Sequence, residues 1–277
     1  MNILNLEELK TVGQVAPNTI INADCLEAMK YIANKSIDCI ICDLPYGITA
    51  CKWDTVIPFE PLWEQYKRII KPRGAIALFG SQPFASALVM SNPKWFKYEW
   101  IWEKSISSGF LNANRKPLKI HENILIFYKQ TPSYSPQMTQ GKPYVKHQSS
   151  NRAAAYNKFR ACILVNHGQR FPNTIIKVKN GNNKSSHPTQ KPVALIEYLV
   201  KTYTLKGELI LDNTAGSGTL AIAAINTERN YICIEKDEHY FEVMRNRIER
   251  HDPSIIKPES RNETVSDEYV QLSLFGD

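Results

Sequence analysis

The chain has 277 residues, 43% of them hydrophobic and 10% aromatic, enough to bury the core of one large α/β domain or of a domain carrying an insertion. No run reaches the roughly 18 apolar residues of a membrane span, and the acidic, amphipathic opening "MNILNLEELK" lacks the basic-then-apolar order of a signal peptide. The net charge of +7 is unevenly placed: between Ser105 and Lys191 there are 14 Lys and Arg against a single acid, Glu122, so the rest of the chain is net acidic. A solvated face interleaves acids with bases; a stretch this one-sided is the footprint of a polyanionic partner, most simply nucleic acid. The six Cys (25, 39, 42, 51, 161, 233) fall mostly in apolar runs, as expected of reduced thiols in the cytoplasm.

In chain order, "NTIINAD" (18–24) reads as a short strand and "CLEAMKYIA" (25–33) as a helix, with Leu26, Met29 and Ile32 near helical spacing. A strand follows at 36–43. It contains Cys39-Ile-Ile-Cys42, but positions i and i+3 of a strand face opposite sides, so the pair reads as core rather than as a metal or redox motif. Residues 59–70 form an amphipathic helix, 74–80 a buried strand, 84–91 a helix, and 98–104 and 122–129 strands. From 130 to 186 periodicity collapses into Pro, Asn, Ser, Gln and Tyr among Lys and Arg, which predicts a loop-rich insert. Order returns with a helix at 192–204, a strand at 208–212, a helix after Gly218, a strand at 230–235 and a helix at 238–250. Such alternation implies a mainly parallel sheet covered on both faces. Past Pro253 the chain is polar and reads as a flexible tail. The expected division is therefore 1–129, an insert at 130–186, a second half at 187–251 and a tail at 252–277.

"LILDNTAGSGTLAIAA" (209–224) is a strand, a turn and a helix, with Gly216 and Gly218 leaving room for a ligand at the helix N-terminus. The next strand ends in Glu235, a carboxylate suited to the two hydroxyls of a ribose. Thr219 stands where a phosphate loop needs Lys, and Asp212 at the strand end would repel a pyrophosphate. A cationic or zwitterionic ligand fits better, with a helix-capping role for Asp212 left open.

Four motifs in one order, Asn22-Ala23-Asp24-Cys25, "DLPYG" (43–47), "HPTQKP" (187–192) and "LDNTAGSGT" (211–219), resemble the β group of DNA amino-methyltransferases over residues 18–250. The resemblance implies a Rossmann-like, circularly permuted methyltransferase fold with a mixed, mainly parallel sheet, helices on both faces and a target-recognition insert. It implies S-adenosylmethionine as cofactor, held by Asp24, Cys25, Lys191, Asp212, Asn213, Ala215, Gly216, Ser217, Gly218, Thr219 and Glu235. It makes Asp43, Leu44, Pro45 and Tyr46 the catalytic set, and Asp at the head of that motif favours the N6 amine of adenine in double-stranded DNA over the N4 amine of cytosine. Leu44 stands where the family usually has a first Pro, and Asn213-Thr214 where Pro-Phe is commoner. His187 is read as structural, and no His/Cys/carboxylate cluster has metal spacing.

The chemistry accounts for a strand that ends in an acid, a proline and an aromatic ring. An exocyclic amine is a poor nucleophile because its lone pair is delocalised into the base. The Asp43 carboxylate and the Leu44 carbonyl can accept its two N–H groups, and a fixed carboxylate stabilises the positive charge that develops on nitrogen. Stacking hides that amine in a duplex, so the base must be flipped out, and Tyr46 supplies a face for it, with Pro45 holding the turn. Candidate DNA contacts are Arg115, Lys116, Arg152, Lys158, Arg160 and Arg170. At the end of the chain, Gln271, Leu272, Leu274 and Phe275 in "QLSLF" resemble the peptide that docks on the bacterial sliding clamp; a tail packed on its own core is the bland alternative. The expected setting is the cytoplasm of a bacterium, phage or prophage, within a restriction-modification context; a homodimer, as in some relatives, is left open. Methylation of RNA, or a catalytically silent DNA-binding module on the same fold, are the rival readings.

Overall fold

The computed structural model describes residues 1–47, 54–148, 162–180 and 190–251. Its elements run β1 (Asn2–Asn5), α1 (Leu6–Val12), β2 (Thr19–Asn22), α2 (Cys25–Met29), β3 (Ile37–Cys42), α3 (Phe59–Ile69), β4 (Ile70–Gly80), α4 (Phe84–Ser91), β5 (Phe96–Ser108), β6 (Lys119–Phe127), β7 (Thr139–Gln140), β8 (Tyr144–Gln148), β9 (Cys162–Asn166), β10 (Gln169–Arg170), β11 (Ile175–Lys177), α5 (Val193–Tyr203), β12 (Leu209–Asp212), α6 (Thr219–Asn226), β13 (Asn230–Glu235) and α7 (Glu238–Glu249).

Nine strands form one sheet in the order β1-β2-β13-β12-β3-β4-β6-β5-β11. All neighbouring pairs are parallel except those made by β6, which runs antiparallel to both β4 and β5. The expected mixed, mainly parallel sheet with helices on both faces is therefore present. Strand alternation sorts the apolar side chains into two layers. Cys39, Ile41, Ala75, Ala77, Phe79 and Ile210 face the layer covered by α5, α6 and α7. Ile40, Cys42, Ile76, Leu78 and Leu211 face the layer covered by α1, α2, α3 and α4. Cys39 and Cys42 thus point to opposite faces, both free and buried, as the spacing predicts.

Helix ends follow local chemistry. The start of α1 is a capping box in which Asn5 accepts from the backbone of Glu7 and Glu8 while Glu8 accepts from that of Asn5. In α3 the buried Leu62, Trp63, Tyr66 and Ile69 lie on one stripe, which sets that helix against the sheet.

Two regions carry more structure than the sequence pattern predicts. The opening residues form an edge strand and a helix: β1 is too short to show alternation, but its parallel pairing with β2 completes the sheet. In the stretch read as loop-rich, β7 pairs with β10 and β8 with β9 as antiparallel ribbons, and β11 joins the main sheet beside β5. Strands of two to five residues leave too few positions for a period to appear.

Candidate active site

From β12 the chain crosses to β13 on one side, and from β3 it crosses to β4 on the other. The crevice beyond the carboxyl ends of β12 and β3 is thus a topological switch point, where open α/β sheets bind ligands. A cleft of about 890 Å³ lies there. Asp24 after β2, Asp43 to Tyr46 after β3, Asp212 to Ser217 after β12 and Glu235 at the end of β13 all line it. Four residue groups remote in sequence meet because their strands are parallel and end together.

The Tyr46 hydroxyl donates to Asp43 Oδ1 at 2.7 Å, and the Lys191 ammonium donates to Asp43 Oδ2. The ring of Tyr46 stacks on Phe84 with centroids 5.0 Å apart and planes 29° apart. Burial, and then the neighbouring Asp43, hold the Tyr46 phenol far above its usual range, so it remains an O–H donor. The Leu44 side chain is buried in the core layer covered by α1, α2, α3 and α4, which anchors the turn in the absence of a second proline. The Gly47 N–H donates to Asp54 Oδ1 at 2.8 Å.

Behind Asp43 lies a chain of alternating charge. Lys191, with 9% of its side chain exposed, sits between Asp43 and Glu122, with Glu122 Oε2 at 3.3 Å; Lys104 occupies the other oxygen of Glu122. Burial pushes the Glu122 carboxyl up, but the combined pull of Lys191 and Lys104 holds it below the usual range. For Lys191 burial favours the neutral amine, and Asp43 and Glu122 outweigh it, raising the ammonium. The resemblance assigns Lys191 to the cofactor; its ammonium in this structure faces the Asp43 carboxylate. Glu122 and Lys104, which sequence reasoning did not place in the site, line the same cleft. The signal was present: Glu122 is the one acid in the basic stretch.

On the other side, Glu235 accepts the Gly216 N–H at 2.7 Å and the Asp237 N–H at 2.8 Å. Gly216 and Gly218 have φ of 52° and 76°, a conformation that favours glycine. A Cβ on Gly218 would lie 2.6 Å from Met244 Cγ, so glycine also lets α6 pack on α7. Ser217 bonds to Gln190, and Arg247 donates to the Ser217 carbonyl and the Thr219 hydroxyl. Asp212 is buried with one backbone N–H, that of Thr214, on its carboxylate; burial, and then the charges of Asp43 and Glu235, push it up to about 7. Tyr66 donates to Asn213 Oδ1 at 2.5 Å, and the buried Asn213 Nδ2 has no hydrogen-bond acceptor among the described residues. Asp24 caps α2 through the Leu26 N–H and pairs with Lys236 at 3.2 Å, the capping role and the cleft position coexisting. Ala215 and Cys25 complete this wall, the Cys25 thiol pushed up to about 11 by burial. A buried acid with few donors, an unfilled amide donor and a partly free carboxylate suit a ligand bearing a cationic amine and hydroxyls.

Of the candidate DNA contacts, Arg115 and Lys116 are exposed on the turn between β5 and β6. Arg170 is engaged within the insert: it donates to Asn166 Oδ1 and the Lys142 carbonyl and lies over the Tyr144 ring at 4.6 Å, tying the ribbons together. Arg152, Lys158, Arg160, His187 and the tail residues Gln271, Leu272, Leu274 and Phe275 lie outside the described residues. No described helix is long and apolar enough to cross a membrane.

Residues 37–246 match the N6/N4 methyltransferase family described as DNA methylase. The chain is 27% identical over 272 residues to the type II methyltransferase M.HinfI of Haemophilus influenzae, covering 86% of this chain and 70% of the relative. Among solved structures it resembles the M1.HpyAVI–SAM complex, with a TM-score of 0.56 and 24% identity over 82% of this chain and 98% of that one. It also resembles the cytosine-N4-specific PvuII DNA methyltransferase, with a TM-score of 0.62 and 13% identity over 87% of this chain and 90% of that one. Motif, glycine turn and cleft coincide in space, and the family match spans most of the chain, which belongs to the S-adenosylmethionine-dependent N6/N4 DNA methylase family.

Proposed function

We propose that the protein methylates the N6 amine of an adenine flipped out of double-stranded DNA, with S-adenosylmethionine as donor. The observation that carries this reading is that Asp43 and Tyr46 open onto the same cleft as Asp212, the glycine turn and Glu235. The cofactor supplies a methyl group on a cationic sulfur. Asp212 and Asn213 would hold its amino-acid end and Glu235 its ribose hydroxyls, with Asp24 and Cys25 toward the base.

The remaining work falls to the chain's own groups. Asp43 accepts an N–H of the amine, the Leu44 carbonyl accepts the other, and the nitrogen lone pair is released from conjugation. As the N–C bond forms and the methyl–sulfur bond breaks, leaving the sulfur as a neutral thioether, positive charge grows on nitrogen beside a carboxylate held in place by Tyr46 and Lys191. The nitrogen then gives its proton to the Asp43 carboxylate, which opens onto the cleft and passes it to solvent, leaving the neutral methylamine. Tyr46, backed by Phe84 on one side, offers its other face to the base. Asp heading the motif supports adenine. Arg115 and Lys116 would meet phosphates, and the 130–186 insert would read the site.

Nucleoside mass spectrometry on methyl-free DNA, incubated with the protein and S-adenosylmethionine, tests this, with Asp43→Ala as control. N6-methyladenine that disappears in the control is the expected result. N4-methylcytosine would overturn the choice of base and keep the mechanism. No methylation at saturating cofactor would overturn the reading as a whole.

A further inference from the structure

The turn between β5 and β6 carries an apolar tip that the described residues leave exposed. Phe110 is 75% exposed and Leu111 85%, both in the 3-10 turn Phe110–Asn112, and Ile106 on the adjoining strand is 58% exposed. Exposed apolar clusters of this kind mark a contact. The surroundings select its chemistry. Residues 105–121 hold Arg115, Lys116 and Lys119 and no acid, and Arg115 and Lys116 are exposed beside the tip, so the partner is anionic. Position narrows it further. Ser108 and Lys119 face each other in register at the base of the tip, and both line the cleft that contains Asp43 and Tyr46, as does Lys104. The hairpin is at once a wall of the cleft and the support of the tip.

We infer that Phe110 and Leu111 are the wedge that enters the base stack when the target base leaves it. The inference rests on the reading of the cleft as the place that receives a flipped base. An emptied stack is an apolar slot between two base faces, and apolar side chains inserted at a base step are a known way to hold it open. Arg115 and Lys116, in the same turn, meet the flanking phosphates and keep the tip in register. An anionic membrane shares the charge preference, but nothing about a membrane explains why the root of the tip forms the wall of the cleft.

The test uses the full chain with Phe110→Ser/Leu111→Ser, whose side chains are solvent-exposed, so thermal unfolding should match the parent. Methylation is measured on two duplexes carrying the site mapped from methylated plasmid DNA. In one the target base is paired; in the other it faces an abasic position, where extrusion is already easier. The expected loss on the paired duplex is on the order of tenfold, shrinking to about threefold or less on the abasic one, because the wedge acts on unstacking. Equal loss on both duplexes, or none on either, overturns the wedge while leaving the methyltransferase reading intact. Binding to phosphatidylglycerol vesicles that the variant loses, with duplex methylation unchanged, also overturns it. Failure of the parent to methylate either duplex would overturn the reading on which the inference rests.

Discussion

Replacing Lys191 with Met removes the cation that joins Asp43 to Glu122 and keeps most of the volume. Breaking a buried ion pair by deleting one partner costs about 3–5 kcal/mol. Asp43 retains 29% side-chain exposure and Glu122 retains Lys104, so the lower end applies, about 3 kcal/mol near pH 7. The pH dependence distinguishes this cause from lost packing. In the parent, Glu122 is held below its ordinary value of 4.5, so its contribution is present above that pH and is lost as pH falls through the folded value. In the variant burial is opposed by Lys104 alone, so the Glu122 pKa rises from its depressed value and the folded variant takes up the proton at a higher pH than the folded parent does. The difference between the two proteins therefore narrows on acidification from pH 7 toward pH 4. At the alkaline end Lys191 contributes fully below its ordinary 10.5 and its contribution disappears as pH rises through the raised folded value, where the proteins converge again. Urea unfolding followed by tryptophan fluorescence at pH 7 and pH 4 measures this. A difference below about 1 kcal/mol at pH 7, or one that does not change with pH, would refute the electrostatic account.

Gly218→Ala should cost about 2–4 kcal/mol, combining a left-handed φ with the collision at Met244; because Met244 is itself buried core, Met244→Ala alone closes the cycle, and the Gly218→Ala cost should be smaller in the Met244→Ala background, by the share due to the collision, in thermal melts of the two single variants and the double. Asp212, pushed up to about 7 by burial, keeps a proton in the folded state after the unfolded chain has lost it, so the parent loses stability as pH rises from its ordinary 3.8 toward 7. Asp212→Asn should flatten that decline, seen as a smaller shift of the urea midpoint between pH 5 and pH 7; an unchanged slope would assign the titration elsewhere.

The elements that position the site were legible because each spans enough residues to show its period. The stripe Leu62, Trp63, Tyr66 and Ile69 announces α3, and the apolar run before Asp43 announces β3. The cleft residues at strand ends were legible for a related reason: a carboxylate that stops an apolar run has to sit where the strand leaves the core. What stayed hidden was pairing. Phe84 stacks on Tyr46, and Glu122 holds Lys191, through contacts between residues 38 and 69 positions apart. A single sequence carries no period for such contacts. Of the site's hidden members, Glu122 alone left a trace, as an acid isolated among bases.

The departures from the common motif pattern acquire a role in this light. Asn213 and Thr214 stand where Pro and Phe are commoner, and both make bonds that neither replacement could make. Asn213 Oδ1 accepts the Tyr66 hydroxyl at 2.5 Å, which fastens the end of β12 to α3. The Thr214 hydroxyl donates to the Asp43 carbonyl at 3.0 Å and lies 2.9 Å from Cys42 Sγ. The loop after β12 is thereby bonded to the backbone of Asp43, the residue proposed to receive the amine. Methyl transfer demands that donor and acceptor be held at a fixed separation, and small displacements are costly. With Leu44 in place of a proline the turn has a less rigid backbone. The Thr214–Asp43 bond supplies a restraint at that turn from the opposite wall, so this side chain joins Lys191–Asp43 and Tyr66–Asn213 in setting against each other the two halves of the cleft that the whole insert separates in sequence.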